Sequence, residues 1–114
     1  MSIKLVAVTA CISGVAHTYM AAERLEKLCA QEKWSLKVET QGALGVENRL
    51  SAEDIAQADV VLLIADIMLE EAERFAHQRG VEISIHGFLS GSGRVISAVR
   101  KVATSPQETR IRLE

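Results

Sequence analysis

Cys11 stands where a short β-branched segment ends, and Ser13, Gly14, His17 and Thr18 follow it closely. A helical pattern opens at His17. The unpaired N–H groups of a helix's first turn form an anion cradle, and the helix dipole favours negative charge there. The same field favours a thiolate over a thiol, and the thiolate is the nucleophile. Gly14 lets the loop curl so that successive N–H groups converge, while Ser13 and Thr18 offer hydroxyl donors. A thiolate at the mouth of such a nest suits attack on a phosphoryl group. The alternative for Cys11 is a small inert thiol at a strand end. Against that, it lies outside the periodic apolar positions, and a glycine loop follows it. Cys29 is the reverse case, because it falls on the apolar face of the helix and reads as core.

The loop also says which cysteine chemistry to expect. Cysteine phosphatases and arsenate reductases use C-x5-R, whose arginine clamps the oxyanion in a fixed fork. Here the corresponding position is His17, and no arginine or lysine lies between Cys11 and Met20. Backbone donors can hold a phosphoryl group, but the fork that favours hydrolysis on the spot is missing. The pattern points to a carrier that keeps a phosphocysteine until an acceptor arrives. A small phosphatase or arsenate reductase is the main alternative, and a non-catalytic regulatory domain derived from a carrier is the third reading.

Other polar residues have weaker claims. His17 is either a proton partner for Cys11 or an ordinary first-turn residue. Gln41 and Gly42 begin the loop after a second strand, where a binding role and a tight turn are equally open. Asp66, just past a third strand, either orients that loop or caps the next helix. Residues 87–93 hold three glycines, but neither the lysine of a phosphate loop nor the spacing of a dinucleotide fingerprint follows, so a flexible solvent-facing loop or a frayed helix start is expected, the loop being favoured. His77 and His86 have no paired ligands nearby, which argues against a metal site.

The elements that must position Cys11 follow from periodicity. Residues 3–9 read as a buried strand, and Ala21, Ala22, Leu25, Leu28 and Cys29 recur at helical spacing from His17 to near Lys33. Residues 36–40 form a second strand, and residues 41–45 a two-glycine loop. Ser51 caps a short helix with Asp54 in its first turn. Residues 60–64 are the most apolar strand. A helix is predicted over residues 68–78, a strand over 81–85 and a last helix over 94–103. Four strands alternating with helices imply one α/β domain over residues 1–103, with a mostly parallel sheet covered on both faces and a loose tail at 104–114. Functional loops in such sheets lie beyond the carboxyl ends of strands, at a switch point.

Composition excludes several partners. The chain has 114 residues, 48% hydrophobic, with a net charge of -2 and 4% aromatics. That balance offers no general attraction to nucleic acid and no base-stacking platform. The longest apolar stretch, residues 60–65, is far short of the roughly 20 residues that span a bilayer. The opening residues lack the layout of a secretory signal, and two cysteines are too few for a disulfide scaffold. A soluble, intracellular domain is expected.

Val6-Ala7-Val8-Thr9-Ala10-Cys11, followed by Gly14-Val15-Ala16-His17-Thr18-Tyr19-Met20-Ala21-Ala22-Glu23, resembles the start of the fructose-family enzyme IIB domains of the phosphoenolpyruvate-dependent sugar phosphotransferase system. The likeness continues through Glu39-Thr40-Gln41-Gly42, Gly45-Val46-Glu47-Asn48, Ala58-Asp59-Val60-Val61 and Arg74-Phe75. The resemblance implies a four-stranded sheet of order 2-1-3-4, with the end of the first strand at the switch point. It implies that Cys11 takes a phosphoryl group from a phosphohistidine on enzyme IIA. Cys11 then passes it to a sugar, fructose or fructose-like, bound by the membrane enzyme IIC. By position, Ile12, Ser13, Gly14, Val15, Ala16, His17 and Thr18 form the phosphate cradle, with Gln41, Gly42 and Asp66 in possible support. No cofactor is implied, and the expected location is cytoplasmic, at the membrane's inner face through enzyme IIC. The family usually reads Cys-Pro-Thr-Gly where this chain has Cys11-Ile12-Ser13-Gly14; Ser13 keeps a hydroxyl, and Ile12 restores an N–H and frees φ.

Overall fold

The computed structural model describes residues 3–11, 15–42 and 45–113. In chain order the elements are β1 (Lys4–Ala10), α1 (Val15–Glu32), β2 (Ser35–Gly42), β3 (Gly45–Glu47), α2 (Ala52–Gln57) and β4 (Val60–Ala65). A 3₁₀ turn (Ala72–Phe75), β5 (Gly80–Ile83), α3 (Ile85–Ser90), α4 (Ser92–Ala103) and β6 (Arg110–Arg112) complete the chain. The sheet order is β3-β2-β1-β4-β5-β6, with β2–β3 antiparallel and every other pair parallel. The four inner strands keep the 2-1-3-4 order that the resemblance implied.

The pleat of β1 sorts the core into two layers. Leu5 and Ala7 pack on one face with Ala21, Leu25 and Cys29 of α1 and with Val95, Val99 and Val102 of α4. Val6 and Val8 point the other way, against Leu50, Ile55 and Phe75. Helices therefore cover both faces, as an α/β sheet requires. Among the described residues, no helix is long and apolar enough to cross a membrane.

Four expectations need correction. The sheet has six strands, and one of the two additions, β3, grows from the two-glycine loop. Gly45, at φ +91, supplies the left-handed turn that folds β3 back on β2. The other addition is β6, inside the segment expected as a loose tail. Ile111 and Leu113 pack on the core, while Gly80 N donates to Thr109 O at 2.9 Å and Leu113 N to Glu82 O at 2.8 Å. The Arg110 side chain lies across Gly80, where a Cβ would sit 2.9 Å from its Nε.

The helix predicted over residues 68–78 is only the Ala72–Phe75 turn. A helix would give Glu70 O to the N–H four residues on, but the Gln41 side chain donates to that oxygen. Glu71 then adopts a left-handed conformation, φ 56, at a cost of about 1–2 kcal/mol.

The glycine-rich stretch is likewise no flexible loop. It forms α3 and the start of α4. Ser84 Oγ accepts from Gly87 N at 3.0 Å, and Gly87 is buried where a Cβ would meet Ile83 and Ser84 at 3.0 Å. Gly91 separates the two helices.

The Ser51 cap is a reciprocal box. Ser51 Oγ accepts from Asp54 N, and Asp54 Oδ2 accepts from Ser51 N, both at 3.0 Å. A hydrogen bond from Lys37, then those from Ser51, hold the Asp54 carboxyl down at about 2, so the box stays charged through mild acid. Ser51→Ala is expected to destabilise the domain by about 1 kcal/mol, read as a lower urea midpoint at unchanged m-value. An unchanged midpoint would show the cap to be idle.

Candidate functional site

Cys11 follows the last residue of β1 at the carboxyl edge of the sheet. Ala10 pairs with Gln41 of β2 on one side and Ala65 of β4 on the other. The connection after β1 runs to β2 on one side and the connection after β4 runs to β5 on the other, so the edge between β1 and β4 is the switch point. Asp66 N donates to Ala10 O at 3.1 Å and ties the start of the following loop to the end of β1.

Cys11 is buried and lines a cavity of about 240 Å³ with Gln41, Gly42, Gly45, Ile67, Met68 and Glu70. α1, 18 residues long, begins four residues after it, at Val15 rather than His17. Cys11, Gln41 and Gly42 thus meet in one cavity. Thr18 is buried, its hydroxyl makes no hydrogen bond among the described residues, and that oxygen lies 4.0 Å from where a Cβ on Gly42 would stand. His17 is exposed. Ile12, Ser13 and Gly14 lie outside the described residues, as do the side chains of Val15 and Ala16.

Asp66 does not line this cavity. Its Oδ1 accepts from Ile85 N at 3.0 Å, so it caps α3, which comes later in the chain than the helix it was expected to cap. Cys29 is core, and burial pushes its thiol up to about 11, leaving it a poor nucleophile.

The part that sequence reasoning missed lies beneath the cavity. Glu39 is fully buried and takes a two-pronged hydrogen bond from Arg74, Nη1 to Oε1 at 3.0 Å and Nη2 to Oε2 at 2.9 Å. Leu50 N donates to Oε1 at 2.9 Å, and Gln41 Nε2 donates to Oε2 at 2.7 Å. Burial pushes the Glu39 carboxyl up, but hydrogen bonds from Arg74, Gln41 and Leu50 N, with the Arg74 charge, more than offset it and hold the group below its ordinary value. Arg74 also lies over the Phe75 ring, 4.8 Å from its centroid. The available signal was a glutamate two positions before Gln41, on the same face of a strand that pairs with fully buried Val8.

Gln41 uses its whole amide. Besides Glu39, Nε2 donates to Glu70 O at 3.2 Å and Oε1 accepts from Glu70 N at 2.9 Å. Residues 67, 68 and 70 form a wall of the Cys11 cavity, and this amide holds that wall. A larger cavity of about 650 Å³, along α1 and β2, includes Tyr19, Glu23, Lys37 and Asp54 but not Cys11. Among the described residues, no cluster of His, Cys, Asp and Glu could hold a metal ion.

Over residues 6–96 the sequence matches the family described as "PTS system, Lactose/Cellobiose specific IIB subunit". It is 67% identical over 110 residues to PTS system fructose-like EIIB component 3 of Escherichia coli K12, covering 96% of this chain and 97% of the relative. It is 49% identical over 96 residues to fructose-like EIIB component 2 of the same strain, covering 84% and 91%. A crystal structure of a predicted fructose-specific IIB from Escherichia coli superposes with a TM-score of 0.95 at 66% identity, covering 98% of this chain and 99% of the other. A domain of a fructose-specific IIABC component from Borrelia burgdorferi gives 0.81 at 38% identity, covering 93% and 98%.

Proposed function

The chain belongs to the IIB subunits of the sugar phosphotransferase system, in its fructose-like branch, and from that we propose that Cys11 is the residue that carries the phosphoryl group. The observation that supports this most is the placement of Cys11. It stands at the switch point, four residues before α1 begins, in a cavity it shares with Gln41 and Gly42. The described lining residues include no arginine or lysine. This favours holding the group over hydrolysing it.

In the first step the thiolate sulfur attacks phosphorus of a phosphohistidine on an enzyme IIA. The S–P bond forms as the N–P bond breaks, and the electron pair stays on the imidazole nitrogen, which takes up a proton. In the second step a hydroxyl oxygen of a fructose-like sugar, held by a membrane enzyme IIC, attacks phosphorus and gives its proton to solvent; the O–P bond forms as the S–P bond breaks, and Cys11 leaves as thiolate. The loose in-line transition state asks the protein for positioning and charge stabilisation. Ile12, Ser13, Gly14, Val15, Ala16, His17 and Thr18 supply the cradle, and the unpaired Thr18 hydroxyl is a ready donor beside Gly42. The subunit works in the cytoplasm, at the inner face of the membrane through IIC.

Incubation with a phosphorylated enzyme IIA, followed by intact-mass and peptide mass spectrometry, tests the proposal. A gain of one phosphoryl group, mapped to the peptide containing Cys11 and passed on when IIC membranes and sugar are added, is the expected result. Rapid release of inorganic phosphate by the isolated subunit would establish a phosphatase instead. No labelling from any fructose-class IIA would leave an interaction domain.

A further inference from the structure

We propose that the buried Glu39–Arg74 pair acts through Gln41 to fix the wall of the Cys11 cavity, making Glu39 and Arg74 positioning residues for phosphoryl transfer. The inference rests on Cys11 being the phosphoryl acceptor. Residues 66–71 leave the end of β4 without becoming helix, so few backbone hydrogen bonds of their own hold them. The Gln41 side chain replaces those bonds, pairing with both the N–H and the carbonyl of Glu70.

An amide is ambiguous, since rotating it by half a turn exchanges donor and acceptor. Rotated, Gln41 would set its NH₂ against Glu70 N and its oxygen against Glu70 O, and both bonds would be lost. Glu39 selects the orientation that suits Glu70, independently of the Glu70 backbone itself. Its carboxylate accepts only, so it demands the NH₂ of Gln41 on its side. Glu39 is in turn held in one rotamer by the Arg74 fork and Leu50 N. Arg74 sits just beyond the same loop, and its Nε donates to Glu71 O at 3.1 Å. Glu70, through Gln41, and the neighbouring Glu71, through Arg74, are therefore both tied to one carboxylate. Ile67, Met68 and Glu70 line the same cavity as Cys11, so the position of this segment sets the room available to a phosphoryl group there. A misplacement on the order of 1 Å at a reacting centre can cost about 100-fold in rate.

The experiment measures the rate of Cys11 phosphorylation against the concentration of phosphorylated IIA. It compares wild type, Gln41→Met, Glu39→Gln and the double variant, with urea unfolding of each. Gln41→Met keeps the length and loses both bonds to residue 70. Its maximal rate is expected to fall about 10- to 100-fold, while the donor concentration at half-maximal rate moves by less than about threefold. Glu39→Gln, which removes the acceptor-only partner that orients the amide but leaves its bonds to Glu70, is expected to fall less. The double variant is expected to be no slower than Gln41→Met, because Glu39 acts through Gln41. Val99→Ala, in α4 and not among the residues lining the cavity, controls for lost stability and is expected to keep the wild-type rate. Should Gln41→Met not fold, Arg74→Lys, which keeps the charge and loses the fork, takes its place and is expected to slow the reaction in the same sense.

Unchanged maximal rates in folded variants, or losses that multiply in the double variant, overturn the positioning role while leaving Cys11 as carrier. A wild type that is not labelled by a IIA that labels another fructose-class IIB overturns the carrier reading, and this inference with it.

Discussion

Cys11→Ser is expected to reduce phosphoryl acceptance from enzyme IIA to background, with the fold retained. The substitution changes one atom, so the comparison isolates nucleophilicity. At neutral pH a thiol is partly ionised and intrinsically very nucleophilic, whereas a serine hydroxyl needs an adjacent base to act. Among the described residues lining the cavity, the nearest thing to a base is Glu70, held there by its backbone. Cys29→Ala is the companion variant. Burial holds the Cys29 thiol at about 11 within the core, so its removal is expected to leave labelling intact. The check is intact mass after incubation with phosphorylated IIA, with circular dichroism to confirm folding. Labelling of Cys11→Ser at the wild-type rate would remove Cys11 from the mechanism.

Arg74→Met is expected to cost about 3–5 kcal/mol of stability, because it leaves the fully buried Glu39 carboxylate without its cation. Replacing both members, Glu39→Met with Arg74→Met, is expected to recover much of that loss, since two apolar side chains carry no desolvation penalty. The pH dependence gives the claim its sign. In the wild type, burial raises the Glu39 carboxyl, but the hydrogen bonds from Arg74, Gln41 and Leu50 N and the Arg74 charge outweigh it, so the folded value lies below the unfolded one. That stabilisation is present above the unfolded value, about 4.3, and is lost as pH falls through the folded value. In Arg74→Met the lowering by Arg74 is gone while burial still raises the carboxyl, so the variant's folded value lies above the wild type's. The variant's deficit is therefore largest at neutral pH and shrinks as the carboxyl takes up a proton. Urea unfolding at pH 7 and at pH 4 reads the gap between the two proteins, which is expected to narrow in acid. A gap that stays constant, or no gap at pH 7, would show that the pair contributes no such energy.

The placement of Cys11 was legible because local cues coincide, a strand end, a glycine in the segment after it and a helix pattern soon following. The Ser51 cap was legible for the same reason, its partner Asp54 being three residues away. Cys29 followed from helical spacing alone. Reading failed where a segment's fate depends on a remote group. Residues 68–78 carry a helical pattern, yet Gln41, 29 residues earlier, takes the backbone of Glu70. The segment near the C-terminus has too short an alternation to declare a strand, and β6 exists because β5 presents an open parallel edge and Gly80 leaves room for Arg110. Glu39 read as one charge on a half-buried strand, because nothing near it announces Arg74, 35 residues on.

By itself, then, the sequence determined the alternation of strands and helices, the place of the candidate nucleophile at a strand end and the absence of an arginine in the loop that follows it, all of which rest on residues close together in the chain. Tertiary structure alone decided which polar side chains became scaffold. Gln41 and Asp66, expected as supports of the phosphate cradle, spend their side-chain hydrogen bonds on Glu39, Glu70 and Ile85, and Arg74 pairs with Glu39 behind Gln41. The physical reason is that a buried polar group must be paired, and the partner that satisfies it is set by sheet order and register.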